Sequence, residues 1–474
     1  MKGLIKMKKI ISVLLAAVLV FSTFAVVANA EKVTYEEWQK YYETCDNTGL
    51  TMTPGDNETE MNFCWHSVRD GNGKPVIRLS KSADMTDYKE FTGKSSFSEI
   101  TDQRVNNVTV TGLEENTTYY YTYGQNGTFS EVETFRTHGF DNFTFLYISD
   151  AQPKHDYDLA ENSFRWNRTL EAAFTNEDDI SFAVNAGDVT HCGQYTSEWT
   201  AFLAPEYLRS YPMAATQGNH DRKGTTYKYY FNNPNVFGGL APTVYGDGYY
   251  FTYGDVLFVF INSNKINFMD NYWLVKKAVK ENPDTKWRVA VFHHDIYGTE
   301  HHAIQDDAVA ARRTLAPVLE SYDFDIALTG HDHVFGRSYF MEEDKIVETA
   351  GYDEGAVTDP EGIIYFTQTA ASGNTRTPDE GEVYDYDWLG KTVITGNDCY
   401  STIEVTDDSM EIITIDTITG ETIDTFKITK TDFTVKEKPM TEGYLGAILK
   451  PLIGEYYVIY EMFYKIVHLK FLGL

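Results

Sequence analysis

The sequence has few cysteines for its length. Four occur among 474 residues, Cys45, Cys64, Cys192 and Cys399, and so small a number excludes a fold built on a dense disulfide framework. None of them has the spacing of a thiolate metal site. Pairing of Cys45 with Cys64, and of Cys192 with Cys399, stays open.

Positive charge is also scarce. The chain has 40 Lys and Arg against 70 Asp and Glu, a formal net charge of −30, so it lacks the broad basic surface that binds nucleic acid through its phosphates. An anionic substrate would have to be held by positive charge that is placed locally. Bound metal ions supply such charge without making the whole surface basic.

Long apolar stretches occur only near the two ends of the chain. In residues 1–30 a lysine-rich start, an apolar run and the small-residue pattern Ala28-Asn29-Ala30 predict a signal peptide; an uncleaved membrane anchor is the alternative. Either interpretation places the protein outside the cytoplasm, secreted or associated with the cell surface. Residues 431–474 form an apolar tail that lysines and glutamates interrupt, so it is a poor membrane span. Its amphipathic pattern suits packing on the protein, on a second subunit or on the cell envelope.

Residues 31–138 have the pattern of an all-β module. Short alternating or apolar runs at 60–65, 76–80, 105–110, 118–123 and 131–136 are separated by Gly, Asn and Asp clusters. Leu113 followed by Tyr119-Tyr120-Tyr121 indicates a sandwich corner, in which a tyrosine hydroxyl bonds to backbone upstream. No chemistry is indicated in this segment, which we interpret as a packing or binding module.

From residue 139 to residue 430 the pattern is that of an α/β layer fold, in which short apolar strands alternate with helices. Strands are predicted at 143–149, 180–185, 212–216, 257–261, 288–292 and 325–328, and amphipathic helices at 164–174 and 199–208. Three further runs, 402–405, 410–414 and 425–428, are expected to close the same domain.

Polar side chains follow five of these strands in turn. They are Asp150 and Gln152, Asp188 and His191, Asn219 and His220, His293 and His294, and His331 and His333. The carboxyl ends of strands in an open α/β sheet share one edge, where ligands bind. Histidines that serve only packing would not recur at five strand ends. Carboxylate, imidazole and amide ligands without thiolates suit zinc, manganese or iron, and Asp188 could bridge two ions that clamp a phosphoryl group.

The motifs D-x-Q, G-D-x-x-H, G-N-H-D, H-H and G-H-D-H, in this order, resemble those of the calcineurin-like metallophosphoesterase superfamily, and in particular its purple acid phosphatase branch. Leu50-Thr-Met-Thr-Pro-Gly55 and residues 113–121 resemble the fibronectin III-like N-terminal domain of that branch. The resemblance covers residues 48–430. It implies an N-terminal all-β sandwich followed by an α/β domain, an αββα sandwich with a dinuclear metal site at the strand C-terminal ends.

The resemblance also implies roles for single residues. Asp150, Asp188 and His333 resemble the ligands of the first metal ion, and Asp188 (as the bridge), Asn219, His293 and His331 resemble those of the second. His220 resembles the histidine that contacts the phosphate, and His301 and His302 resemble a histidine pair that faces the substrate. His294 would be a further phosphate contact or a group behind the ligands.

One position departs from the branch. Purple members carry a metal-bound tyrosine three residues after the bridging aspartate, and here that residue is His191. Without a phenolate ligand we expect no charge-transfer colour, and the preference for ferric iron is in doubt. Gln152 or His191 would complete the coordination of the first metal. The expected cofactors are two divalent or mixed-valence ions of Fe, Zn or Mn.

These observations predict a secreted hydrolase that removes phosphate from a small phosphorylated ester, with a monoester as substrate. A phosphodiester or a nucleotide pyrophosphate at the same site is the alternative. A surface-binding protein that uses the metal domain as a scaffold is a hypothesis of another class, and the complete ligand set for the second metal disfavours it.

Overall fold

The computed structural model describes residues 33–70, 73–177, 179–239, 242–243, 246–264, 268–372 and 383–436. The predicted signal peptide and all of the apolar tail after residue 436 lie outside them. Among the described residues, the model contains no helix with the length and apolar character of a membrane span. The chain divides into an N-terminal unit that ends at Thr44 and a main unit that begins at Cys45.

The described part of the N-terminal unit is one short helix, α1, Tyr35–Tyr42. It begins after Thr34 because Thr34 and Glu37 each accept a hydrogen bond from the other's backbone N–H, which forms a capping box.

The main unit starts with a sandwich of two antiparallel sheets. Its strands are β1 Thr51–Pro54, β2 Glu60–Ser67, β3 Val76–Ser80, β4 Tyr88–Thr92, β5 Lys94–Ser98, β6 Gln103–Thr111, β7 Thr118–Gln125, β8 Thr128–Phe129 and β9 Glu133–Arg136. One sheet has the order β1-β2-β6-β5 and the other β4-β3-β7-β8, with β9 also on β7. The hydroxyl of Tyr119 accepts a hydrogen bond from the N–H of Glu114 at 2.8 Å, which confirms the predicted tyrosine corner.

The following α/β part contains two seven-stranded sheets. The first has the order β12-β11-β10-β23-β24-β25-β20 and the second β13-β14-β15-β16-β21-β17-β22. The strands of the first sheet are β10 Phe143–Ile148, β11 Ile180–Asn185, β12 Met213–Ala215, β20 Ala356–Thr358, β23 Cys399–Val405, β24 Ser409–Asp416 and β25 Thr422–Thr429. Those of the second are β13 Tyr249–Tyr253, β14 Val256–Phe260, β15 Trp287–Val291, β16 Ile326–His333, β17 Phe335–Ser338, β21 Ile364–Thr369 and β22 Leu389–Val393; a hairpin of β18 Phe340–Glu342 and β19 Lys345–Val347 lies apart.

Side chains alternate along these strands between two layers. Phe145 and Tyr147 of β10 face an aromatic core that the two sheets share, while Leu146 and Ile148 pack with the helices α2 Leu159–Asn176 and α3 Thr196–Leu203. On the second sheet, the alternate residues of β14 pack with α4 Phe268–Glu281 and α5 Asp306–Ser321. The layers are therefore helix, sheet, sheet, helix, which confirms the predicted αββα fold.

Two of the predicted elements end at other residues in the structure, and the cysteines, whose pairing the sequence left open, are not paired with one another. The helix predicted at 199–208 ends at Leu203, because Pro205 lacks an N–H to continue it, and a 3-10 turn follows at Glu206–Arg209. Strand β16 runs on through the G-H-D-H motif with irregular pairing, whereas its end was predicted at residue 328. The cysteines, all within the described ranges, form no disulfide; the Cys64 thiol donates instead to the carbonyl of Tyr229 at 3.2 Å.

The sandwich packs against the segment that leads to and from the G-N-H-D motif. The Tyr121 hydroxyl donates to the carbonyl of Arg209 at 2.7 Å, and the Thr51 hydroxyl donates to the carbonyl of Tyr230 at 2.5 Å. The buried ring of His66 lies 4.3 Å from the Tyr230 ring, centre to centre. We call this contact between the sandwich and the α/β part the domain seam. It involves residues on both sides of Asn219 and His220, two of the predicted site residues.

Candidate metal centre

The predicted site residues meet at one edge of the two facing sheets. Asp150 follows β10, Asp188 follows β11, Asn219 follows β12 and His293 follows β15. His331 and His333 are among the last residues of β16. A bridge between Ser149 and Ala370 joins the sheets at this edge. Neighbouring parallel strands explain the convergence, because their carboxyl ends point the same way.

Several of these residues have a left-handed backbone that non-glycine residues rarely adopt. The φ angles are 53° at Asp150, 39° at Gln152, 47° at Asp188, 79° at His331 and 57° at His333. Such conformations cost roughly 1–3 kcal/mol each and cluster at functional sites. Here they turn the side chains sharply from the strand ends toward one another.

Ligand atoms expected to hold one metal ion lie close together. The Nε2 atom of His293 is 3.4 Å from Asp188 Oδ2, 2.9 Å from Asn219 Oδ1 and 3.2 Å from His331 Nδ1. The Nδ1 atom of His293 is 3.0 Å from the carbonyl of Ala186. Donation there leaves the Nε2 lone pair free to bind a metal.

The groups expected around the other ion lie next to these. His333 Nε2 is 3.2 Å from Asp150 Oδ1, and the Gln152 amide donates to Asp188 Oδ2 at 3.1 Å. Oxygen and nitrogen atoms of Asp150, Asp188 and His293 all lie within 4.8 Å of one another. The structure therefore brings together both predicted ligand sets.

The electrostatics of the site fit metal ions. Asp150 and Asp188 are buried, and among the described residues neither pairs with a lysine or an arginine, an arrangement that costs free energy without a counter-charge. Burial lowers the pKa of His293, yet Asp188 and Asp150 outweigh it and raise that pKa to about 9. The donor spacings of 2.9–3.4 Å match the edges of a coordination shell with bonds of about 2.0–2.1 Å.

Two buried groups that sequence reasoning missed hold the ligand loops in place. Asp221 accepts hydrogen bonds from the N–H groups of Val189, Thr190 and Gly218 at 3.1, 2.9 and 2.9 Å. It thereby ties the G-D-x-x-H loop to the G-N-H-D loop. The place of Asp221 inside the G-N-H-D motif was a signal that sequence reasoning could have used. The second group is the fully buried Glu198 of α3, which accepts hydrogen bonds from the N–H groups of His155 and Cys192. No sequence pattern marked Glu198.

A cavity of about 290 Å³ opens on the ligands. Its lining residues are Gln152, Lys154, Tyr157, Asp188, His191, Asn219, His220, Glu300, His302, His331, Asp332 and His333. His191 and His220 lie side by side, 4.3 Å between ring centres. Burial, and then the charges of His220, Lys223 and Lys154, lower the pKa of His191 to about 3, so its imidazole is neutral and able to act as a ligand.

His302 lines the cavity and carries two carboxylate neighbours. Its Nδ1 is 3.2 Å from Asp332 Oδ1 and 3.3 Å from Glu300 Oε2. The hydrogen bonds to Asp332 and Glu300 raise the pKa of His302 to about 9. The Asp332 carboxylate also accepts the N–H groups of Thr299 and Glu300, at 2.8 and 2.7 Å, which fixes the loop.

The other two predicted catalytic histidines have different surroundings. His301 stacks beside His302, 4.1 Å between ring centres, but 39% of its side chain is exposed. Donor atoms of Glu300, His301 and His302 also lie within 4.8 Å of one another. The structure does not bring His294 into the cavity: it is buried behind the ligands, where its Nδ1 contacts the Ser263 hydroxyl at 2.7 Å. Its prediction as a catalytic group is therefore not supported.

Two family models match the chain. Residues 143–335 match the calcineurin-like phosphoesterase model, and residues 47–137 match the N-terminal domain of purple acid phosphatases. Together these ranges make up more than half of the sequence. The chain is a purple acid phosphatase-like metallophosphoesterase. Members of this family hydrolyse phosphate esters at a dinuclear metal site.

Two relatives of this metallophosphoesterase share about a quarter of the aligned residues with it. It is 24% identical over 330 residues to purple acid phosphatase 23 of Arabidopsis thaliana, an alignment that covers 61% of this chain and 69% of the relative. It is 23% identical over 337 residues to an uncharacterized protein of Mycobacterium tuberculosis, where the alignment covers 61% of this chain and 62% of the relative. The chain thus spans about two thirds of the length of these relatives.

Solved structures share the fold of this metallophosphoesterase. The purple acid phosphatase PPD1 from yellow lupin seeds superposes with a TM-score of 0.65 at 15% identity, over 81% of this chain and 75% of that one. The structure of PhoD superposes with a TM-score of 0.59 at 13% identity, over 84% of this chain and 93% of that one. At such identities the likeness concerns the fold alone.

Proposed function

We propose that this protein hydrolyses phosphate monoesters of small molecules at a dinuclear metal site. The observation that carries the proposal is the joint burial of Asp150 and Asp188 beside His293, with donor atoms at coordination spacing and, among the described residues, no lysine or arginine paired with either carboxylate. We further propose, from the signal-like pattern of residues 1–30, that it acts outside the cytoplasm.

The metal ligands would be divided as follows. Asp150 and His333 would hold one ion, with Gln152 or His191 beside it. Asn219, His293 and His331 would hold the other ion, and the two oxygens of Asp188 would reach both. A pair of metal ions in such a site supplies a nucleophile at neutral pH and positive charge for the phosphoryl oxygens.

The chain's own residues would bind the ester and move the proton. His220 lines the cavity next to Asn219, and its backbone N–H donates to Asp188 Oδ1 at 2.8 Å. This position suits contact with a phosphoryl oxygen. His302, with Nδ1 held between Asp332 and Glu300, would donate its Nε2 proton to the leaving alkoxide as a general acid.

A direct test replaces the proposed bridge. We expect Asp188→Asn to fold normally but to lose both bound metal and activity, because an amide offers one ligand oxygen where the carboxylate offers two. The measurements are elemental analysis of the purified protein, circular dichroism, and turnover of 4-nitrophenyl phosphate. Full activity with two metals per chain in the variant would contradict the assignment of the site.

A further inference from the structure

A phosphate monoester differs from a diester mainly in charge. Near neutral pH a monoester carries close to two negative charges, since its second pKa is about 6, whereas a diester carries one. A site that selects monoesters therefore needs positive charge beyond that used for either ester. The inference below rests on the proposed function and names the source of this charge.

Lys154 is a cation at the wall of the cavity. It follows the D-x-Q motif by two residues, is half-buried and lines the same cavity as Asp188 and His220. Its ammonium group lies 4.7 Å from the centre of the Tyr157 ring, a distance at which a cation is attracted to the ring face. Within the described ranges Lys154 forms no ion pair with a carboxylate. Its charge is therefore free for a substrate.

The backbone that carries Lys154 is fixed. Its N–H donates to Asn162 Oδ1 at 3.0 Å. The next residue, His155, is held by Glu198 Oε1 through its N–H at 3.0 Å and through its ring Nδ1 at 2.7 Å. Glu198 is fully buried in α3. Lys154 thus extends from an anchored segment, as residues that set specificity require.

A second lysine approaches the cavity from the G-N-H-D side. Lys223 Nζ is 2.8 Å from Nδ1 of His220. Lys223 is not itself a lining residue, but its contact His220 lines the cavity together with Lys154, so both ammonium groups lie near the same part of the cavity. In a chain with a formal net charge of −30, this pair is a local exception.

We propose that Lys154, supported by Lys223, binds the second negative charge of a dianionic phosphate monoester and thereby makes the site prefer monoesters to diesters. The acidic wall formed by Glu300 and Asp332 is occupied by His302, so the lysine wall is the side that accepts the anion. Lys154 acts here as a residue that determines specificity.

Two substrates with the same leaving group test the proposal. Metal-loaded protein with Lys154→Met is assayed on 4-nitrophenyl phosphate and on bis(4-nitrophenyl) phosphate, neither of which needs a proton for the leaving group. We expect kcat/KM for the monoester to fall roughly 10- to 100-fold, the worth of one hydrogen bond to a charged group. The diester should change less than about threefold, and the metal content should not change.

Matched variants control for side effects. Lys228 also lies over a tyrosine ring, 5.2 Å from the centre of Tyr229, but it does not line the cavity, so Lys228→Met should leave both rates unchanged. Lys154→Arg keeps the charge and should retain most of the preference for the monoester. Equal losses on both esters, or no loss on either, would overturn the proposal.

A binding measurement separates this inference from the proposed function. Calorimetry with inorganic phosphate and with dimethyl phosphate needs no turnover. Lys154→Met should weaken binding of phosphate by the same 10- to 100-fold and leave dimethyl phosphate unaffected. If the wild-type protein hydrolyses neither ester, the proposed function fails. In that case the affinities for inorganic phosphate and for dimethyl phosphate, compared between wild type and Lys154→Met, still decide whether Lys154 binds the second charge.

Discussion

His302 and His301 are adjacent histidines with unequal surroundings. His302 sits between Asp332 and Glu300 at 3.2 and 3.3 Å. Among the described residues, the carboxylate paired with His301 is that of Glu300, at 3.6 Å, and the His301 side chain is more exposed. This asymmetry favours His302 over its more exposed neighbour His301 as the proposed proton donor.

We expect His302→Ala to slow esters with alkoxide leaving groups by roughly 10²–10⁴-fold, because the departing oxygen then lacks a proton donor. Turnover of 4-nitrophenyl phosphate should fall much less. The assay compares a simple alkyl phosphate with the nitrophenyl ester, and His301→Ala is the matched control with a smaller effect. Loss of metal from either variant would indicate instead that Glu300, His301 and His302 bind an ion.

His191 replaces the tyrosine that gives purple members of the family their colour. We expect the iron-loaded wild-type protein to be colourless or pale, since His191 supplies no phenolate at the position where purple members carry the tyrosine. Tyr195 instead stacks on His155, with ring centres 3.7 Å apart. Absorption spectroscopy of the iron-loaded protein checks this, and His191→Tyr should introduce a visible band. An intensely coloured wild-type protein would contradict the prediction.

For single residues, the sequence predicts the proposed metal ligands better than it predicts the buried groups that hold the loops around them. Asp150, Asp188, Asn219, His293, His331 and His333 could be located because each lies next to a strand end within a recognisable motif. Glu198 could not, since its role depends on the N–H groups of His155 and Cys192 meeting one buried carboxylate. That meeting is set by how α3 packs, which no local pattern encodes.

Among the elements, the turn between β12 and the 3-10 helix Asp221–Lys223 shows how backbone shape serves the site. A Cβ atom at Gly218 would lie 1.9 Å from Asp188 Oδ1 and 2.4 Å from Asp188 N. Only glycine therefore lets this turn approach the loop after β11. The turn and the loop position the proposed bridging carboxylate together.

We accordingly expect Gly218→Ala to displace Asp188 and to lower metal affinity by about 10- to 100-fold, as loss of supporting contacts does in other metal sites. Metal titration followed by a competing chelator measures the affinity. Gly420→Ala is the control, because a Cβ there meets no atom within 4 Å, although its φ of 72° makes the change mildly strained. Unchanged affinity in Gly218→Ala would show that the turn can relax.

The strands of the core were predictable and the connecting strands were not. Runs such as Phe143–Ile148 and Ile180–Asn185 are buried throughout and apolar, and parallel strands covered on both faces have that pattern. Strands β17 to β22, between the G-H-D-H motif and the closing strands, are short or mixed in composition. Apart from the β18–β19 hairpin, they pair with strands that are not their neighbours along the chain, so periodicity did not reveal them.

For the whole molecule, the seam between the sandwich and the α/β part contains a buried titratable group. His66 is 3% exposed, and neither of its ring nitrogens has a hydrogen-bond partner in the described structure. Burial lowers the pKa of His66 to about 4 from a usual value near 6.5. Protonation thus opposes the folded state.

The direction of the pH effect follows from this. Because the folded-state pKa is the lower one, the contribution of His66 is fully present above pH 6.5 and is lost as the pH falls from 6.5 toward 4. The difference between the pKa of His66 in the unfolded and the folded protein corresponds to up to about 3 kcal/mol of free energy of unfolding. The variant His66→Phe keeps a ring against Tyr230 but has no group to protonate. Between pH 7.5 and pH 4 we expect its free energy of unfolding to fall by up to about 3 kcal/mol less than that of the wild type.

Urea unfolding of both proteins at the two pH values measures the difference. Acid also protonates the metal ligands, but it does so in wild type and variant alike, so the comparison isolates His66. A variant with the same pH dependence as the wild type would show that His66 reaches water in the folded protein.

Strand β10, which leads to Asp150, is hydrogen-bonded between β11 and β23, and its partners in β23 are residues 401–405. One side of β10 therefore stays open until residues 401–405, far along the chain, have docked on it. Pairings between residues so far apart form slowly, and an unpaired strand edge invites association with other chains. Until residues 401–405 dock, β10 offers an unpaired side to other chains, so the closing strands protect the strand that leads to Asp150.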